Sequence, residues 1–194
     1  MVQEFDFHNV ERDFMYARAP HTKANVKYGA PIGGALENQY DESIQEYDYV
    51  SLISKERYTA GTEVEVSCYF EGSGAPCIVF TDDLGEGISF PEYGLHFEIC
   101  IYQGGVNVWH ILPNKERVEC PITPTKLFFE QWEVSKTGVD CTVKFGRKSF
   151  TVLVEGHSFT VANEDFPEQF RVGFTACEGP CGFTRFCVKS DGAL

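Results

Sequence analysis

The sequence has few basic residues and no long apolar run. Its 194 residues include 16 Lys and Arg against 29 Asp and Glu, which gives a formal net charge of −13 at pH 7. Proteins that bind a nucleic-acid duplex or an anionic membrane need clustered Lys and Arg to neutralise phosphates. A membrane-spanning helix needs about 20 apolar residues in a row. The composition therefore argues against nucleic acid and membrane as partners and favours a neutral ligand.

Motifs of several common enzyme classes are also missing. The sequence contains no Gly-x-Ser-x-Gly elbow, phosphate loop, dinucleotide fingerprint or His-Glu-x-x-His pair. The N-terminal residues lack the basic and apolar regions of a secretory signal, so we expect a cytoplasmic protein. Its eight cysteines are then expected to be reduced, with a disulfide framework as the alternative if a signal peptide has been lost.

A metal centre is not expected from the sequence. Cys177 and Cys181, with Cys187 beyond them, form one loose pair, whereas structural zinc uses four ligands at short spacings. Loop and core thiols explain these residues without a metal.

Aromatic residues and alternating strands are abundant. The chain has 17 Phe and 9 Tyr but only 2 Met and 2 Trp, and Phe and Tyr favour pleated sheets. About eleven short strands at roughly ten-residue spacing predict an all-β, antiparallel sandwich or barrel. We predict a single domain over residues 1–194, in which residues 1–45 form an irregular N-terminal wrap with a short first strand at 4–7.

Residues 94–111 are predicted to form a hairpin with two different faces. Gly104 and Gly105 supply the positive φ angles of a two-residue turn. If Gln103 faces Val106 across this turn, Glu98 lies opposite Ile111. One face is apolar and belongs to the core. The other face carries mixed polar and aromatic side chains: His96, Glu98, Cys100, Tyr102, Asn107 and Trp109.

The polar face has the side chains that sugar recognition requires. Sugar rings stack their C–H patches on aromatic faces, while their hydroxyls bond to amides and carboxylates. Trp109 supplies an aromatic face for stacking, and Asn107 and Glu98 supply hydrogen-bonding groups. Tyr102 can do both. The first hypothesis is therefore recognition of a neutral glycan or glycoside, with Glu178 and Arg185 as further ligand-binding residues.

Catalysis on the same face is the second hypothesis. A glycoside hydrolase needs two carboxyl groups across the bond; Glu98 is the general-acid candidate, with Glu178 or Asp83 as its partner. A lyase would instead use His96 as the base and Tyr102 as the acid. A purely structural alternative pairs Arg185 with Glu178 or Glu98. The third hypothesis is a protein-interaction module that docks through a sheet face or an edge strand.

Four stretches of the sequence resemble the concanavalin A-like lectin and glucanase superfamily. They are residues 75–82, 95–100, 150–161 and 170–179, within a resemblance of element order that covers about residues 45–190. The resemblance implies a jelly-roll β-sandwich with one convex and one concave sheet, and carbohydrate binding or processing on the concave sheet. It also implies a short N-terminal strand that pairs near the C-terminal strand.

The chain departs from the enzymes of that superfamily. Laminarinase-type glucanases carry Glu-x-Asp-x-x-Glu on one strand, whereas this hairpin strand has only Glu98, with His96 two residues before it. Legume lectins bind calcium and manganese through an Asp-rich loop, to which Asp82-Asp83 is only weakly similar. The resemblance therefore supports a binding surface more strongly than a catalytic apparatus, and we expect no cofactor, with calcium at Asp82-Asp83 as a weaker alternative.

Overall fold

The computed structural model describes residues 1–20, 28–29, 33–43, 50–87, 90–114, 116 and 121–190. The regular secondary structure of these residues comprises strands and two short helical turns, a 3-10 turn at Phe7–Asn9 and α1 at Val10–Asp13. The strands in chain order are β1 (Val2–Glu4), β2 (Phe14–Ala17), β3 (Leu36–Glu37), β4 (Ser51–Ser54), β5 (Tyr58–Thr59), β6 (Glu63–Phe70), β7 (Ala75–Thr81), β8 (Leu84–Gly85), β9 (Glu92–Tyr93), β10 (His96–Tyr102), β11 (Gly105–Pro113), β12 (Ile122–Glu130), β13 (Val139–Phe145), β14 (Ser149–Val154), β15 (His157–Ala162), β16 (Gln169–Cys177) and β17 (Cys181–Lys189).

Two large antiparallel sheets contain most of the strands. The seven-stranded sheet has the order β1-β17-β6-β13-β14-β15, with β3 beside β17. The eight-stranded sheet has the order β12-β11-β10-β7-β16-β4-β2, with β5 beside β16. The first and last strands pair, with Val2 opposite Lys189. The predicted all-β jelly-roll sandwich is confirmed, as is the pairing of the two ends, although the first strand is residues 2–4 rather than 4–7.

The core lies between the two sheets and is rich in phenylalanine. The Phe80 ring of the eight-stranded sheet lies 5.2 Å from Phe145 and 4.8 Å from Phe150 of the seven-stranded sheet, centroid to centroid, in edge-to-face contacts. Strand β6 alternates buried and half-buried residues along its whole length, as a sheet with one face on the core requires. Each fully buried Phe contributes roughly 1.5–3 kcal/mol of apolar burial.

Hairpin β10–β11 has the predicted faces but a different register. Tyr102 pairs with Gly105 and Glu98 with Trp109, so Gln103 and Gly104 form the turn, and the predicted pairing of Glu98 with Ile111 is wrong. Of the two glycines, only Gly105 has a positive φ, 136°. A Cβ on Gly104 would lie 2.9 Å from Cε2 of Tyr102. Because the register differs by two residues, every side chain keeps its predicted face.

The structure also corrects the prediction for part of the N-terminal segment, at the edges of the sheets. Residues 10–17, predicted to be irregular, form α1 and the edge strand β2. The edge strand β12 contains Pro124, a residue that sheets accommodate on edge strands because it has no N–H to donate. No helix in the described residues is long and apolar enough to cross a membrane.

A flap formed by β8 and β9 covers one half of the outer face of the eight-stranded sheet, the face turned away from the core. The Tyr93 hydroxyl lies 2.6 Å from Ser51 Oγ, and Arg18 bonds to Glu92 across 3.1 Å. Beneath the flap lies a second small apolar cluster of Ala17, Ala19, Ile53, Val79 and Tyr93. Tyr93 of this cluster also packs edge-to-face on His96 of β10 at 4.7 Å, centroid to centroid. We call the outer face of β10, β11 and β12 the open half.

Candidate functional site

The open half presents a partly exposed aromatic platform. Trp109 is half-buried at its centre, and the Lys126 Nζ lies 4.9 Å from the Trp109 ring centroid and 5.2 Å from that of Phe129. Phe129 is 47% exposed. A register shift between Val108 and Trp109 places Lys126 directly opposite Trp109, as a β-bulge does when it redirects side chains. Lys126 and Phe129 were missed from the sequence, although strand alternation from the inward Phe128 would have placed Phe129 outward.

His96 and Glu98 form a buried pair beside the platform. His96 is fully buried and Glu98 is 5% exposed. The His96 Nδ1 lies 2.6 Å from the Gly94 carbonyl oxygen, and Nε2 lies 3.2 Å from Glu98 Oε1. A carbonyl only accepts, so Nδ1 carries a proton.

Asn107 and Tyr102 lie on the same surface, one and two rows from Trp109 respectively. Burial raises the pKa of the Tyr102 phenol, and a hydrogen bond from Asn107 partly opposes that rise. The Asn107 Oδ1 is buried without a hydrogen-bond partner. An unfilled buried acceptor costs about 1–3 kcal/mol, so this amide is poised to gain from a donor.

The structure separates Glu178 and Arg185 from this surface. Arg185 lies on β17 in the other sheet, where its Nη1 is 2.9 Å from Glu65 and its Nε is 3.3 Å from Glu4. The hypothesis that Arg185 pairs with Glu178 or Glu98 is therefore wrong. Glu178 is exposed in the turn between β16 and β17 with a φ of 58°.

A second carboxyl group does not accompany Glu98 on the open half. At the outward positions of β7, β10, β11 and β12, Glu98 is the single carboxylate. Glu98 lies in register with Val79 and Gly173. At about 3.3 Å per residue, Glu178 is therefore roughly 17 Å further along a neighbouring strand. That exceeds the separations of about 5–9.5 Å that glycosidases use. Asp83 lies beyond the end of β7, where its Oδ2 accepts a hydrogen bond from the Leu95 N–H just before β10.

Asp82 and Asp83, the weaker alternative for a calcium site, already have protein partners. Asp82 Oδ1 lies 2.8 Å from Arg57 Nε, and Asp83 Oδ2 accepts a hydrogen bond from the Leu95 N–H at 2.8 Å. Across the described part of the chain, no group of three or more His, Cys, Asp or Glu side chains is placed to hold a metal ion. Cys120 lies outside the described residues.

No protein-family model matches the chain, and no curated protein matches its sequence. Solved structures do match its architecture. A carbohydrate-binding module, CBM66 from Bacillus subtilis, has a TM-score of 0.63 at 7% identity and covers 86% of this chain and 92% of that chain. The chain has the concanavalin A-like jelly-roll fold.

Two enzymes of this fold were solved with oligosaccharides. The kappa-carrageenase from Pseudoalteromonas carrageenovora, in complex with an oligotetrasaccharide of kappa-carrageenan, has a TM-score of 0.60 at 10% identity and covers 96% of this chain and 92% of that chain. LamA from Zobellia galactanivorans, in complex with laminaritriose and laminaritetraose, has a TM-score of 0.60 at 12% identity and covers 97% of both chains. At such identities the likeness is one of fold, and the function of this chain depends on its own residues.

Proposed function

We propose that the protein recognises a neutral glycan or glycoside on the open half. The half-buried Trp109 ring beside buried hydrogen-bonding groups is the observation that carries the proposal. A sugar ring on the Trp109 face would keep its hydroxyls within reach of Asn107, Tyr102 and Lys126. The Asn107 Oδ1, which has no hydrogen-bond partner, would accept a hydrogen bond from a sugar hydroxyl after a small side-chain movement.

Neighbours of the same fold support a carbohydrate ligand. They include a carbohydrate-binding module and a carrageenase solved with an oligosaccharide. Sites on a shared fold diverge freely, so this support is an analogy. The argument for this chain comes from its aromatic platform and the polar groups around it.

Binding without hydrolysis fits the open half better than the two enzymatic hypotheses. A hydrolase needs a second carboxyl group near Glu98, and the outward positions of β7, β10, β11 and β12 supply none. A lyase would need the His96 ring to touch its substrate, yet that ring is fully buried and bonded at Gly94 and Glu98. The pair is better suited to holding the sheet beneath Trp109.

We also propose a cytoplasmic location, which favours a short oligosaccharide or small glycoside over a polysaccharide. The seven described cysteines are thiols rather than disulfides, as a reducing compartment would maintain them. Protein extracted under conditions that block thiols would show alkylated cysteines if this location is correct. Extensive disulfides in such protein would contradict it.

Calorimetric titration against neutral gluco-, galacto- and fructo-oligosaccharides, with sulfated oligosaccharides as the charged comparison, tests the proposal. We expect a neutral ligand to bind, Trp109→Ala to weaken it at least about tenfold, and Trp132→Phe to leave it unchanged. Trp132 is the matched control because it stacks on His157 at 4.0 Å, away from the open half. Binding that survives Trp109→Ala, or released sugar in the product mixture, would contradict the proposal.

A further inference from the structure

Two thiols meet across neighbouring strands beneath the open half. Cys77 on β7 and Cys100 on β10 are directly opposite in the antiparallel ladder, and their sulfur atoms lie 3.1 Å apart. Cys100 is half-buried and Cys77 is fully buried. By contrast, the Cys68 thiol in the other sheet faces the Val139 carbonyl oxygen at 3.8 Å.

The backbone already has the geometry that a disulfide needs. Directly opposed residues of an antiparallel pair have Cα atoms about 4.5–5.5 Å apart, and disulfides form across about 4.4–6.8 Å. Closing the two sulfur atoms from 3.1 Å to a bonded distance requires a movement of about 1 Å. Side-chain rotation supplies such a movement without displacing either strand.

We propose that Cys77 and Cys100 form a reversible disulfide when the protein meets a small-molecule disulfide such as oxidised glutathione. The bond would lie on the floor of the open half, because Cys100 is also the direct cross-strand partner of Asn107. This proposal does not depend on the identity of any ligand.

The two thiols have different parts in the reaction. The thiolate of the half-buried Cys100 attacks one sulfur of oxidised glutathione and expels one glutathione, which takes up a proton. Cys77 then loses its proton and attacks the Cys100 sulfur, which expels the second glutathione. Two protein thiols become one disulfide, and one glutathione disulfide becomes two thiols, so electrons and protons balance.

The environment of Cys77 makes it unsuited to the first step. Its pKa is raised well above the ordinary value, mainly by the hydrogen bond with Cys100 and then by burial, with smaller contributions from Cys177 and Glu98. A buried neutral thiol is a poor first nucleophile. The reaction therefore begins at Cys100, whose thiolate is the attacking species.

Peptide mapping by mass spectrometry after incubation with oxidised glutathione tests the proposal. We expect wild-type protein and Cys187→Ser, a control on the other sheet, to yield one linked peptide pair containing Cys77 and Cys100, which dithiothreitol separates. In Cys77→Ser, Cys100 should stop at the glutathione adduct, and in Cys100→Ser, Cys77 should stay unmodified. A wild-type protein with both thiols free, a lasting glutathione adduct on Cys100, or a link from Cys100 to Cys177 would overturn the proposal.

Discussion

The outer faces of the two sheets differ in how their polar groups are satisfied. On the seven-stranded sheet, Glu63 and Glu65 bond to three cations from two neighbouring strands, with Lys144 at 3.1 Å from Glu63 and Arg185 at 2.9 Å from Glu65. Lys189 bridges both carboxylates. Side chains of opposite charge therefore neutralise one another across the strands, as expected of a solvated face.

The open half of the eight-stranded sheet has the opposite character. Its carboxyl group is buried with His96, its Lys126 lies over aromatic rings, and its Asn107 has an unfilled acceptor. A face whose polar groups already pair has little to offer a ligand, whereas a face with an aromatic platform and an unfilled acceptor does. This contrast is the reason for placing the proposed function on the eight-stranded sheet.

The largest expected effect on stability comes from breaking the buried pair. His96→Ala removes a buried ring and leaves Glu98 buried without its partner, which should lower the free energy of unfolding by about 3 kcal/mol. Urea denaturation measures this loss. The matched control is His157→Ala: His157 also bonds to a carboxylate, Glu130 at 3.0 Å, but both side chains are more than a third exposed. That variant should lose about 1 kcal/mol or less, and equal losses would contradict the contrast.

An intermediate effect is expected from pH, through a histidine on the inner face. His110 stacks on Phe97 at 4.7 Å, and its pKa is lowered from 6.5, mainly by burial, although Asp165 opposes the shift and His96 adds to it. The unfolded chain therefore binds a proton more readily, and stability falls as the pH drops below about 6.5 until the folded-state pKa is passed.

Thermal unfolding from pH 7 to pH 5 measures that dependence. His110→Phe should keep the ring stack and flatten the decline in this window. His8→Gln is the control because the His8 side chain is 72% exposed, and it should leave the decline unchanged. A wild-type melting temperature that does not fall across this window, or an equally steep decline in His110→Phe, would show that His110 is not responsible.

The smallest effect should come from the paired face. The pKa of Glu65 is lowered from 4.5, mainly by its hydrogen bond with Lys189, so its contribution is present above pH 4.5 and lost as the pH falls through the folded-state pKa. Glu65→Gln should cost about 0.5 kcal/mol at low salt, with a smaller cost in high salt. Chemical denaturation at two salt concentrations measures both values; a cost above that of His96→Ala would reverse the expected order.

The fold and the two faces of the central hairpin could be predicted from the sequence because they depend on local alternation. An error of two residues in the register left Glu98 and Trp109 on the same face. Partners that come from distant strands could not be predicted. The ion pairs of Arg185 with Glu4 and Glu65 and the contact of Cys77 with Cys100 need the order of strands in each sheet, which alternation does not specify.

The same limit explains the missing parts of the candidate site. The flap covers half of the outer face through Tyr93 and Ser51, residues 42 positions apart in the chain. Lys126 lies opposite Trp109 because of the register shift between β11 and β12. No residue pattern in the sequence predicts that shift. The exposure of a predicted polar face, and therefore the burial of Glu98, depends on contacts such as these between residues that are distant in the sequence.

Backbone amide chemical shifts during titration with a bound neutral oligosaccharide test the central claim most directly, because both outer faces are observed in one experiment. The account predicts that the largest changes occur at Glu98, Asn107 and Trp109 and their neighbours on β12, while Glu63, Glu65 and Lys189 stay unchanged. Changes concentrated on the paired face of the seven-stranded sheet would contradict the account and move the binding surface there.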